Sequence, residues 1–161
     1  FLADRLKFLN HLDREIKLSY ARASRKGFKY TVRLNGTSDL PFERYKLKNG
    51  LNLMDNNPHV QFIDYTKVTN RLDKKNKIPK NYSLTYSQAE NNLKDVKQIL
   101  KTKYNIATVF RKKLPKKWLG RKVINGDLSD LRHLEDGKKI IVGLIAKGRA
   151  IKNFNGFVQD V

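Results

Sequence analysis

Polar residues with chemical uses recur where β-rich runs break into turns. Asn35, Thr37, Ser38 and Asp39 follow the run 30–34, within Tyr-Thr-Val-Arg-Leu-Asn-Gly-Thr-Ser-Asp. Asp64 and Lys67 close a second run, Tyr86 and Ser87 a third, Arg111 a fourth, Asp127 a fifth and Lys147 a sixth. If the strands are parallel, these ends share one rim, where α/β folds place their ligands. Three carboxylates there, Asp39, Asp64 and Asp127, suit Mg²⁺ or Mn²⁺, which prefer oxygen ligands. Glu43 and Asp130 stand behind them. Two such ions about 4 Å apart would activate water for phosphodiester cleavage, with Lys67 or Lys147 stabilising the developing charge. The ordinary alternative is that each Asp bonds its own turn backbone. No spacing here matches a nuclease motif.

The backbone amides around Asn35, Thr37 and Ser38 could also cradle a phosphate. The loop has one Gly and no following Lys, so it is not a P-loop. His11, His59 and His133 lie apart in the sequence with no metal-ligand spacing, and read as surface residues.

The second chemical signal is basic. Between Val96 and Gly126 there are ten Lys or Arg and no acid. Within that run Arg111, Lys112, Lys113, Lys116, Lys117, Arg121 and Lys122 surround Trp118, the only tryptophan. Such a segment neutralises phosphates, and an exposed Trp would stack on a base. Alternatively Trp118 folds inward and fastens the loop to the core. Lys74, Lys75, Lys77 and Lys80 form a second patch.

The elements that must position these groups follow from periodicity. Leu2, Leu6, Leu9, Leu12, Ile16, Tyr20 and Ala23 recur at three and four, predicting a helix over 1–26 that Gly27 stops. A weaker helical stretch covers 44–56, interrupted by Asn49-Gly50. Strands are expected at 30–34, 60–67, 82–86, 105–110, 123–124 and 139–145, with a loop over 69–81. Ser87 and Glu90 have capping-box spacing, predicting a helix from there to about Lys101. This order favours an α/β fold. The crossovers 111–122 and 128–138 are short. The fold expected is therefore one domain over 1–161 with a mostly parallel or mixed sheet of about six strands, barrel-like or incomplete. The chain opens on Phe1 directly in a helical pattern, as the ordered part of a longer polypeptide would.

Composition bounds the partners. Thirty-five Lys and Arg against fifteen Asp and Glu leave a net charge of +20 in 161 residues. A polyanion is the expected partner, with solvated lysine faces as the bland alternative. The absence of cysteine excludes disulfides and thiolate metal sites within this stretch and is compatible with the cytoplasm of a bacterial host. No apolar run approaches the ~20 residues of a membrane span.

Four phrases carry a resemblance: Val-Arg-Leu-Asn-Gly-Thr-Ser-Asp at 32–39, Phe-Ile-Asp-Tyr-Thr-Lys at 62–67, Tyr-Ser-Leu-Thr-Tyr-Ser at 82–87 and Gly-Leu-Ile-Ala-Lys-Gly at 143–148. Together they resemble the gene-product-eighty-eight-like family of phages and plasmids. The resemblance implies a mobile-element setting, and hence DNA replication, transfer or processing. It supplies no active-site residue. Three functions fit: a nucleic-acid-binding protein with a basic face, a metal-dependent nuclease-like enzyme using the strand-end carboxylates, and a phage factor binding an acidic host protein.

Overall fold

The computed structural model describes residues 4–73, 75–135 and 137–161. Leu2 of the apolar stripe and Lys74 of the second basic patch lie outside the described residues. The chain forms two compact units, one of residues 1–64 with 77–83 and the other of 65–76 with 84–161.

The first unit begins with α1, Arg5–Arg25. Asp4 caps it by accepting from the Lys7 amide at 2.8 Å. Its end is the predicted glycine stop: Gly27 sits at φ 70°. The Gly27 amide donates to Ser24 and the Phe28 amide to Ala23, which satisfies the last carbonyls of the helix. Leu9 and Ile16 are its buried residues. Leu6, expected in the apolar stripe, is instead 38% exposed. Asp13 anchors the helix by accepting from the Asn56 and Asn57 side chains at 2.9 and 2.7 Å.

After α1 come the two-residue strand β1, Thr31–Val32, a 3-10 turn at Phe42–Arg44, and the short helix α2, Leu53–Asn56. The helix expected over 44–56 is thus mostly irregular chain. Asn52 caps α2 and also bonds the Glu43 carbonyl, while Leu53 and Met54 are fully buried. Strand β2, Gln61–Thr66, runs parallel to β1 with Val32 opposite Phe62. Asn81 ties the unit together by donating to the carbonyls of Met54, Asn57 and Val60.

The second unit is built on β3, Tyr82–Ser87, whose first two residues belong to the first unit, and on β4, Asn105–Phe110. Between them lies α3, Leu93–Ile99. The expected capping box does not form, because Ser87 is still in β3. Asn92 organises the connection instead. Its side-chain Oδ1 accepts from the Ala89 amide, and its Nδ2 donates to the Ser87 carbonyl and the Tyr86 hydroxyl.

Strand β5, Lys117–Trp118, pairs antiparallel with β6, Arg121–Asn125. Then come α4, Arg132–Glu135, β7, Ile141–Ile145, a 3-10 turn at Gly148–Lys152, and β8, Val158–Gln159. The sheet is open, in the order β1-β2-β3-β4-β7-β6-β5, and β8 takes up the edge of β4 beyond the residues that pair with β3. The β4–β7, β6–β7, β3–β4 and β4–β8 pairings are all parallel. The expected class is found, an incomplete and mostly parallel α/β sheet that stays open, with eight strands among the described residues where about six were expected. Ile106, Phe110, Ile141 and Val142 are fully buried, as expected of central parallel strands covered on both faces. Gly143 in β7 permits close approach: a Cβ there would lie 2.8 Å from Leu114 and 2.7 Å from Val123.

Candidate nucleic-acid interface

The loop after β1 turns its polar groups onto itself. The Asn35 amide donates to Asp64 Oδ1 at 2.9 Å and its Nδ2 to Asp64 Oδ2 at 3.2 Å. The Asn35 side-chain oxygen, Oδ1, accepts from the Leu40 amide and the Ser38 hydroxyl, both at 2.8 Å. Tyr82 donates its hydroxyl to Asp64 Oδ2 at 2.7 Å. Asn35 and Asp64 are only 3% and 2% exposed. These bonds continue the β1–β2 contact past the end of β1. Thr37 and Ser38 stand exposed at the loop tip and Asp39 is half-buried.

In the second unit the ends of β6 and β7 are joined by an ion pair. Lys147 Nζ donates to Asp127 Oδ1 at 2.7 Å and the Ile145 amide to Oδ2 at 2.8 Å. Burial by itself would raise the Asp127 pKa. The Lys147 and Ile145 hydrogen bonds and the charges of Lys147 and Arg132 outweigh it and hold the carboxyl below its usual value. Lys67 is exposed just past β2. Asp64 and Asp127 therefore spend their oxygens on neighbouring donors. Among the described residues, no three His, Asp or Glu side chains are grouped to hold a metal ion.

The basic segment divides by direction. Lys112 and Lys113 are exposed in the turn leaving β4, and Lys116, Lys117 and Lys122 are exposed on and beside the β5–β6 hairpin. Leu119 and Gly120 make the hairpin turn with φ of 46° and 80°. Positive φ at both central residues matches the twist of a two-residue hairpin, although Leu bears strain that Gly does not. The register sets Lys117 opposite Lys122 and Trp118 opposite Arg121. Successive side chains alternate faces, so the two lysines share one face and Trp118 and Arg121 the other.

That second face serves the fold. Trp118 meets Phe110 edge to face, with ring centres 5.5 Å apart. Its buried Nε1 has no hydrogen-bond partner among the described residues. Arg121 is 8% exposed, and its guanidinium donates to the carbonyls of Ile99, Leu100, Thr102 and Tyr104. It thus closes the carboxyl end of α3, where a cation suits the helix dipole. Burial pushes its pKa down.

Arg111 is also engaged. Its Nε and Nη2 donate to the Asp160 carboxylate, and Nη1 and Nη2 to the carbonyls of Ile151 and Asn153. The Arg111 hydrogen bond holds the Asp160 carboxyl below its usual value, despite slight desolvation, and the charges of Arg111 and Lys112 add to it. Of the grouped cations, Arg111 and Arg121 hold the fold and the lysines face solvent. Sequence reasoning did not single out Phe154, Asp160 or the chain around them. The one available signal was an aromatic inside the turn Asn153-Phe154-Asn155-Gly156.

An open α/β sheet with a lysine-bearing hairpin defines a basic α/β protein. The family model Gene product 88 matches residues 1–160, so the chain belongs to the Gene product 88 family, a phage-type gene-product family. No curated protein and no solved structure matches it. Among the described residues, no helix is long and apolar enough to cross a membrane.

Proposed function

We propose that the protein binds nucleic acid by its phosphate backbone, through the exposed lysines of 112–122. The setting is the replication, transfer or processing of phage or plasmid DNA in the cytoplasm of a bacterial host. The observation that carries this reading is the cross-strand pair of Lys117 and Lys122. Directly opposed residues on antiparallel strands have Cβ atoms about 5 Å apart, and like charges there destabilise the hairpin. An anion on that face would relieve the repulsion. Lys112, Lys113 and Lys116 extend the same charge along the chain, in a stretch without a single acid.

Trp118 and Arg121 hold the opposite face of the hairpin against the fold, and Arg111 fastens the chain at 151–160. Cleavage through Asp39, Asp64 and Asp127 with Mg²⁺ or Mn²⁺ draws less support. Two of those carboxylates are already held by amides, a tyrosine and a lysine.

The test is binding of labelled duplex and single-stranded DNA and RNA across a salt series with Mg²⁺ present, followed by a denaturing gel. Five neutralised phosphates give a slope of about −4.5 in log affinity against log salt on duplex DNA. Intact products are expected. Affinity that is flat with salt overturns the reading. Cleaved products would move the weight to the strand-end carboxylates. Absence of binding at low salt would assign the charge to an acidic protein partner.

A further inference from the structure

The second unit displays an aromatic ring in water. Phe154 is 77% exposed, although large aromatics usually contribute to the core. One face of its ring is covered by the Arg111 guanidinium, with Cζ 4.1 Å from the ring centre. Arg111 is a fixed support, since its side chain is only 10% exposed. Four hydrogen bonds, to Asp160, Ile151 and Asn153, hold its plane. Beside the ring opens a cavity of about 700 Å³ lined by Arg111, Lys112, Ile151, Lys152, Phe154 and Asp160 among others. It lies just past the carboxyl ends of β4 and β8, the end of a parallel sheet at which ligands bind.

We propose that Phe154 is a stacking platform for an unpaired nucleobase, and that the ligand is single-stranded nucleic acid with its phosphates held by Lys112 and Lys152. This rests on the nucleic-acid reading above and adds strandedness to it. The chemistry of the cavity favours a planar ring. A small carboxylate or phosphate would seek the in-plane donors of Arg111, but Asp160 and two carbonyls take four of its five N–H groups. What the site offers is the ring of Phe154, flanked by two lysines. Every base has a π-face, so stacking of this kind tolerates any sequence. Bases within a duplex are already stacked on one another and cannot use the shelf. Lys112 also begins the lysine series that leads to the hairpin, so one strand could pass from the cavity to Lys117 and Lys122.

The experiment compares a mixed-sequence single strand with its duplex, on wild type, Phe154→Ala and Phe154→Trp, by fluorescence anisotropy. Phe154→Ala should weaken single-strand binding roughly 5- to 150-fold, the range for loss of one base–aromatic stack. Duplex affinity and the duplex salt slope should stay as in wild type, and Phe154→Trp should restore single-strand binding. As a readout independent of any variant, 2-aminopurine in the strand should be quenched on binding wild type. Equal affinities of wild type and Phe154→Ala for the single strand, or an unquenched 2-aminopurine, overturn the platform. Salt-sensitive duplex binding would in that case leave the basic-face reading standing. If wild type binds neither strand at low salt, both readings fail together.

Discussion

The loop at 35–40 and the segment at 112–122 are both polar stretches that follow a strand, and they use their polarity in opposite ways. In the first, donors and acceptors are matched inside the loop. Asn35 serves Asp64, Leu40 and Ser38 at once, and Asp64 is nearly inaccessible. In the second, the register opposes two lysines on an exposed face. A polar cluster that satisfies itself is a latch. One that leaves like charges opposed would be relieved by an anion, as the proposed function requires. The same division runs within the basic segment, where both arginines turn to carbonyls of the fold and the lysines do not.

The largest expected effect breaks the latch. Asp64→Ala removes the buried acceptor of the Asn35 amide, the Asn35 side chain and the Tyr82 hydroxyl. Stranding such donors should cost about 3 kcal/mol, read by urea denaturation, with nucleic-acid affinity of the folded fraction unchanged. A stable Asp64→Ala that loses binding would place Asp64 in the functional surface and dissolve the contrast.

Arg121→Ala sharpens the division inside the basic segment. It uncovers four carbonyls at the end of α3 and should destabilise by about 2 kcal/mol while leaving the salt slope in place. A reduced slope at full stability would mean that Arg121 contacts phosphate.

The smallest effect concerns the ion pair at the ends of β6 and β7. Asp127 has a folded pKa below its ordinary 3.8. Its stabilising contribution is therefore present above that ordinary value and is lost as the pH falls through the lower folded one. Lys147→Ala should raise the Asp127 pKa towards 3.8 and reduce this acid dependence, the Ile145 amide and the Arg132 charge still favouring the carboxylate, as followed by the carboxyl carbon shift in NMR. An unmoved titration would contradict the pairing.

What was legible in the sequence was what local rules decide. The stop at Gly27 depends on a backbone conformation that Gly accepts easily, and it formed as read. The apolar run of β4 also kept its expected bounds, Asn105–Phe110. Illegible features depend on partners distant in the chain. Strand β8 has two residues and exists only through β4. Ser87 and Glu90 have the letters of a capping box, but the β3–β4 ladder claims Ser87 opposite Ala107. In the candidate site, the lysines announced themselves by number. The inward roles of Arg111 and Arg121 required knowing that the chain at 151–160 and the end of α3 come to meet them. Phe154 escaped notice because one exposed ring has no periodicity.

The central claim is tested most directly by Lys117→Ala with Lys122→Ala in one chain, with duplex DNA titrated across a salt series. Loss of two phosphate contacts should make the slope shallower by about 2 and weaken binding evenly across sequences. Relief of the opposed charges should leave the fold as stable or slightly more so. An unchanged slope with an intact fold would contradict the account, because the hairpin lysines would then be solvated charge and not a phosphate grip.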